Sequence, residues 1–225
     1  MIFHHELFEF HKLQQINSDA GRKYETPTGE RYPSVTTVIG AMSDKSGLDE
    51  WRKRVGYAES IKIGQQAAKR GSAMHKMCEE YLANQPIEKD EHMLGMNREM
   101  FESIRPILDA HVTKVHGIEF PVYSHKLMTA GTVDFFCEWD GKKTVLDFKT
   151  SSKAKAESWI EGYFIQATIY VMCLWEIYGI KVEQIAVLIA VEHDQPQLFV
   201  KDPMDYMPRA LHMFKEYHAG RRVNP

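Results

Sequence analysis

Cysteine is scarce in this 225-residue chain: Cys78, Cys137 and Cys173 are its only three. Their odd number, wide spacing and lack of any CxxC argue against a disulfide framework and a zinc ribbon, and fit a reducing cytosol. Long hydrophobic runs are missing as well. The longest apolar stretch, about Ile165 to Ile180, is interrupted by Gln166, Glu176 and Gly179 and is too short and too polar to span a bilayer. The opening MIFHHELFEFHKLQQ lacks the apolar h-region of a signal peptide. No repeat, linker or low-complexity stretch divides the chain, so its 44% hydrophobic residues are expected to bury one core in a single domain, 1–225. An excess of positive charge is also absent. The 28 Lys and Arg stand against 31 Asp and Glu, so attraction to phosphates must come from local basic clusters. A soluble, cytoplasmic protein with no membrane partner is expected.

Two basic clusters are present. Arg52, Lys53 and Arg54 adjoin, and Lys142, Lys143, Lys149, Lys153 and Lys155 crowd a segment in which Asp147 is the only acid. Solvated faces are the plainer explanation of such runs. The rest of the chain divides by pattern. RKYETPTGERY places a turn between two short extended pieces, and Ser34 stands where it would cap a helix over VTTVIGAM. Helix is expected from Leu48 to Leu82, with a break near Arg70-Gly71, and again from about Glu88 to His116. Strands follow at 118–125, 130–139 and 143–149, then a helix from about Glu157 to Gly179. A strand at 184–192, a short one near QLFVK and a helix after Pro203 complete the pattern. This order indicates an α/β (α+β) fold with a central mixed sheet flanked by helices. It divides into an N-terminal helical part (30–117), a sheet core (118–192) and a C-terminal strand and helix (193–225).

The chemistry concentrates in TAGTVDFFCEWDGKKTVLDFKTSSK. Asp140-Gly141 is a two-residue hairpin signal, because both central positions of a type I′ turn need positive φ. A turn there pairs Trp139 with Lys142 and, followed back along both strands, Asp134 with Asp147. Period-two alternation puts Asp147, Lys149 and Asp134 on one face. Two opposed carboxylates destabilise a hairpin unless a cation or proton sits between them. Carboxylate oxygens with positions left for water and phosphate suit Mg²⁺ or Mn²⁺, as one ion or two, better than Zn²⁺. A structural ion pair at a strand end is the alternative. Elsewhere, His75 and Glu79 share a helical face, as do Gln166 and Tyr170. Glu119 on the preceding strand is either a further ligand or an exposed carboxylate. A packed histidine and a core amide and phenol are the plainer readings of the helical pairs.

GTVD at 131–134, LDFKTS at 146–151, RGSAMHKMCEEYL at 70–82 and QATIY at 166–170, in this order, resemble the RecB-type branch of the PD-(D/E)XK nuclease superfamily. With PSVTTVIGAM and LDEWRKRVG added, the chain is similar to phage-encoded exonucleases of that branch and to the mitochondrial genome-maintenance exonuclease. The resemblance covers about residues 30 to 192. It implies a restriction-endonuclease-like core and a metal-dependent DNA exonuclease acting on single strands or ends, which leaves a 5′-phosphate and a 3′-hydroxyl. A structure-selective endonuclease and a non-catalytic DNA-binding scaffold are the alternatives.

Position by position, the resemblance makes Asp134 and Asp147 metal-binding carboxylates, adds the Phe148 carbonyl and His75 as ligands, and makes Lys149 the catalytic lysine. Gln166 and Tyr170 match a Q-x3-Y motif, with Glu79 and Glu119 in support. Ser34, Thr36, Arg52, Arg54, Arg70, Thr150, Ser151 and Lys153 are the candidate DNA contacts. Three scattered cysteines cannot supply the four-cysteine iron–sulfur cluster of some relatives, so none is expected. The expected partners are DNA and a single-strand-binding or recombination protein. The expected location is the host cytoplasm if the chain is phage-encoded.

Overall fold

The computed structural model describes residues 1–19, 21–87 and 95–220. Near the N-terminus, β1 (Gln14–Ser18), β2 (Gly21–Glu25) and β3 (Arg31–Pro33) form a small antiparallel sheet. The two extended pieces around TPTG are thus β2 and β3, whereas β1 falls in a stretch that its polar composition marks only as a polar start. Ser34 caps α1 (Val35–Met42): its hydroxyl accepts the Thr37 N–H at 3.0 Å. Next come α2 (Ser46–Val55) and α3 (Tyr57–Leu82), a helix of about 39 Å.

The expected break at Arg70-Gly71 is not there. The chain breaks at Gly56, whose φ of 88° suits glycine, and α3 runs straight through Gly71. Flanking helix formers outweigh one glycine, which costs about 1 kcal/mol in a helix interior. The second half of α3 buries Ala73, Met74, Met77, Cys78 and Leu82 at helical spacing, while Ser60 is the one buried residue before Gly71.

Helix α4 (Met96–His111) is shorter than the span read from sequence, part of which, 88–94, lies outside the described residues. β4 (Val112–Ser124) begins six residues earlier than expected. Val112 and Val115 are drawn into it by pairing with Trp139 and Cys137 of β5 (Thr129–Trp139), a tertiary preference that local pattern does not carry. β6 (Lys142–Ser151) returns antiparallel to β5. A 3-10 turn at Glu157–Trp159 and α5 (Glu161–Tyr178) then cross over to β7 (Gln184–Val191), which pairs parallel with β6. β8 (Gln197–Lys201) and α6 (Met207–His218) complete the chain.

The five-stranded sheet has the order β4-β5-β6-β7-β8 and is mixed, with helices on both faces as expected. Alternate residues of β7 feed two cores. Ile185, Val187, Ile189 and Val191 meet α1, α5 and α6, while Ala186, Leu188 and Ala190 meet α3 and α4. α5 ends at Gly179 in the left-handed conformation (φ 66°), with its N–H bonded to Trp175 and that of Ile180 to Leu174. No helix of the described residues is long and apolar enough to cross a membrane.

The β5–β6 turn fits its sequence. Asp140 and Gly141 have φ of 52° and 77°, and the Asp140 carboxylate is held by His111 Nδ1 at 2.9 Å, with the His111 ring stacked on Trp139. Gly141→Ala should lower unfolding free energy by about 1–2 kcal/mol, read as a lower urea midpoint with an unchanged slope.

Candidate active site

Ile118 pairs with Phe135, and Phe120 with Val133, so Glu119 of β4 and Asp134 of β5 lie side by side. In regular strands Ile118 and Phe120 would share a face. Here Ile118 and Phe135 pack toward α3 and α4, whereas Phe120 and Val133 pack toward α1, α5 and α6. Both strands change faces at this step. Glu119 takes a φ of 46°, a conformation that costs a non-glycine residue about 1–3 kcal/mol.

At this pivot the two carboxylates meet His75 of α3, whose Nδ1 lies 3.5 Å from Glu119 Oε1 and 3.6 Å from Asp134 Oδ1. The other ring nitrogen, Nε2, donates to the Phe148 carbonyl at 2.9 Å. The Phe148 N–H in turn donates to Asp134 Oδ2 at 2.9 Å. Fixing one nitrogen of a histidine by a backbone carbonyl leaves the other turned toward the carboxylates, as in ligating imidazoles.

The expected β5–β6 register holds from Phe135–Leu146 to Trp139–Lys142. It stops one step short of Asp134 and Asp147, which are therefore not a ladder pair: Asp134 takes the Phe148 N–H instead. Asp147 is buried. Its Oδ1 accepts from Gln166 Nε2 at 3.0 Å and its Oδ2 meets the Lys149 ammonium. Gln166 also donates to the Tyr170 hydroxyl at 3.3 Å, and the ammonium lies 5.0 Å from the centre of the Tyr163 ring.

Proton affinities follow from this crowding. Burial pushes the Asp147 carboxyl up to about 6, aided by the Asp134 charge and opposed by Lys149, and burial raises Asp134 too. Burial opposes charge on His75, but Glu119, Asp134 and Asp147 outweigh it and hold the imidazole at about 9. Lys149 is raised as well, because burial is overcome by Asp147 and Asp134. The acids thus draw positive charge into the site.

One atom each from His75, Glu119 and Asp134 lie within 4.8 Å of one another. An imidazole nitrogen and two carboxylate oxygens facing a polar cleft form a donor set that fits a hard divalent ion such as Mg²⁺ or Mn²⁺. The cleft holds about 760 Å³, with β1 and β2 contributing Gln15, Arg22 and Tyr24, and α3 contributing Ser72, His75, Lys76 and Glu79.

No family model matches the chain. Mitochondrial genome maintenance exonuclease 1 of Homo sapiens is 30% identical over 149 residues, which make up 60% of this chain and 39% of that protein. The chain thus spans about two-fifths of that relative's length. A candidate exonuclease from Eubacterium rectale of known structure aligns with a TM-score of 0.41 and 13% identity over 65% of this chain and 68% of that one.

Of the residues singled out from sequence, Ser34, Thr36, His75, Glu79, Glu119, Asp134, Lys149, Gln166 and Tyr170 line the cleft. Asp147 lies buried beside it, and the Phe148 carbonyl accepts from His75. Arg52, Arg54 and Lys153 are exposed and are not among the lining residues. Arg70 is ion-paired with Glu192. Ser151 is buried, its hydroxyl bonded to the Lys153 backbone, and Thr150 does not line the cleft either. Sequence reasoning missed Lys76, Ser72 and Tyr163, although the helical spacings 72–75–79 and 163–166–170 carried that signal. Gln15, Arg22 and Tyr24 had no such signal.

Gly131 of the GTVD motif has a plain role: a Cβ there would lie 2.7 Å from the Tyr170 ring. Gly131→Ala should destabilise the protein by about 1–3 kcal/mol, and adding Tyr170→Ala should restore part of the loss in the same denaturation assay. At saturating Mn²⁺, about a hundred times its dissociation constant, the melting temperature of the natural protein should rise by roughly 5–10 °C. Asp134→Asn should remove most of that rise; an equal rise in the variant would place the ion elsewhere.

Proposed function

We propose that this chain is a metal-dependent DNA exonuclease that hydrolyses phosphodiester bonds, with its reaction centre at the Glu119–Asp134–Asp147–Lys149–His75 cluster. The observation that carries this reading is the convergence of three acids from three adjacent strands on one histidine and one lysine at a cleft. A structural ion pair would need neither a third carboxylate nor a strained Glu119. The likeness to an exonuclease over 149 residues supports the same reading.

A divalent ion held by His75, Glu119 and Asp134, with Asp147 beside them, would lower the pKa of a water and offset charge on the phosphoryl oxygens. The chain's own residues supply the positioning. Lys149, kept charged by Asp147, orients the attacking water or stabilises the developing negative charge. Gln166 holds the Asp147 carboxylate through Oδ1, which leaves Oδ2 to the lysine. Asp134 and His75 clamp the backbone of Phe148, between Asp147 and Lys149, and so fix the strand that carries both. Ser34 and Thr36 lie on the cleft wall where a strand's phosphates would pass. Arg52, Arg54 and Lys153 would meet the strand outside it. Arg70 and Ser151, already engaged, are given no DNA contact. A cleft lined by residues of β1, β2 and α3 beside the acids suits a single strand.

Linear and circular labelled DNA, incubated with Mg²⁺ or Mn²⁺ and with chelator, tests the reading. Metal-dependent loss of linear DNA alone is expected. Nicking of circles would make the protein an endonuclease, and binding without cleavage would make it a scaffold. Lys149→Ala should lower turnover by about 10²–10⁴-fold while leaving DNA affinity within about threefold; unchanged cleavage would refute its role.

A further inference from the structure

Most of the charge at the cleft is paired. Glu79, Glu119 and Asp134 line it, and three of its cations are already engaged: Lys149 with Asp147, His75 with Glu119 and Asp134, and Lys76 with Glu79 at 3.6 Å and Glu80 at 3.4 Å. Arg22 lines the same cleft, is exposed, and has no acidic partner among the described residues.

Its place is fixed by the small sheet. Arg22 and Tyr24 are two apart on β2 and share a face. Tyr24 is buried, and its hydroxyl lies 3.2 Å from Thr132 Oγ1 on β5, two residues before Asp134. The backbone at Arg22 is held as well: its carbonyl accepts the Ser34 N–H at 2.8 Å, and Ser34 bridges to Ala130 of β5. The Thr129 hydroxyl donates to the Pro33 carbonyl at 2.9 Å, closing the same seam. A guanidinium on a strand tied to β5, lining the same cleft as the acidic cluster and without an acidic partner among the described residues, is arranged for an anion brought in with the metal.

We propose that Arg22 is a phosphate clamp. It binds one phosphodiester of the substrate strand on the wall opposite the metal cluster, so that the strand passes between the β1–β2 hairpin and α3. This rests on the nuclease reading above and adds to it a positioning residue and a route for the strand. Because that phosphate is held equally before and during the reaction, Arg22 sets affinity rather than turnover.

The test compares the natural protein with Arg22→Ala and Arg22→Lys on a fluorescent single-stranded oligonucleotide, by cleavage kinetics in Mn²⁺ and by equilibrium binding in Ca²⁺ across a salt series. Arg22→Ala should raise KM and Kd roughly tenfold with kcat within about twofold, and should flatten the slope of log Kd against log salt by about 0.7. Arg22→Lys should recover the salt slope and only part of the affinity. A neutral methylphosphonate walked along the oligonucleotide should weaken binding to the natural protein at one position where it leaves Arg22→Ala unaffected. Equal KM, Kd and salt slope in the natural protein and a folded Arg22→Ala would overturn the clamp. If Arg22→Ala does not fold, the methylphosphonate walk on Arg22→Lys decides: no position at which its penalty falls below that of the natural protein sinks the proposal. If the natural protein binds but never cleaves, the nuclease reading fails while the binding arm still judges Arg22. If it binds no DNA, both fall.

Discussion

Three carboxylates held close together beside a cleft are the constraint around which this molecule is arranged. Glu119, Asp134 and Asp147 come from three consecutive strands; the Glu119 charge raises the cost of ionising Asp134, and the Asp134 charge that of Asp147. Two cationic side chains offset this from within the chain. His75 reaches across from α3 to Glu119 and Asp134, and Lys149, two residues along the same strand, takes Asp147. Glu119 and Asp134 share the histidine while Asp147 has the lysine, so positive charge stands on both sides of the cluster. Nε2 of His75 is fixed by the Phe148 carbonyl, which leaves Nδ1 toward the carboxylates as the nitrogen that would hold a divalent ion with them.

The surrounding residues make that cluster rigid. α5 is the crossover between two parallel strands and is buried along most of its length, so a polar side chain there gains by finding a partner inside. Gln166 finds Asp147 and Tyr170, and Tyr170 in turn packs on Gly131, three residues before Asp134. A helix required by topology thus doubles as the support of the site. On the opposite face, α3 sets Met74, Met77 and Cys78 into the core while His75 and Glu79 point along its flank to the cleft. One helix supplies both core and ligand because 3.6 residues per turn puts them on adjacent stripes.

Much of this was legible in the sequence, for local reasons. The Asp-Gly turn has few conformational options, so the register of Phe135–Trp139 against Lys142–Leu146 follows from it. Ser34 before an apolar helical run is a cap by its own chemistry. The helical pairs His75–Glu79 and Gln166–Tyr170 reach one cleft because their spacing is fixed. What escaped depends on partners distant in sequence. The face change at Glu119 and Asp134 breaks the alternation that any strand pattern assumes, and for that reason Glu119 looked as much like a surface carboxylate as a ligand. The early start of β4 and the membership of β1 are likewise decided by what they pair with. Three of the candidate DNA contacts, Arg70, Thr150 and Ser151, stand beside the motifs in sequence, yet Arg70 and Ser151 are engaged with other groups and none of the three lines the cleft.

The cleft's two walls differ in kind, and this bears on what can occupy it. The acids and their cations sit on the sheet and α3, already largely balanced against one another, whereas the wall from β1 and β2 offers polar groups and one unengaged guanidinium. A metal ion alone would satisfy the acids but leave the opposite wall facing water. An anion alone would be repelled by Glu79, Glu119 and Asp134. A metal bridged to a phosphate-bearing chain satisfies both walls at once, since the ion screens the acids from the phosphate while the remaining negative charge faces the arginine. The small N-terminal sheet, pinned to β5 by Tyr24, Ser34 and Thr129, is therefore more than a cover over the core. Under the proposed reading it supplies the part of the cleft that would meet the phosphates of a bound strand.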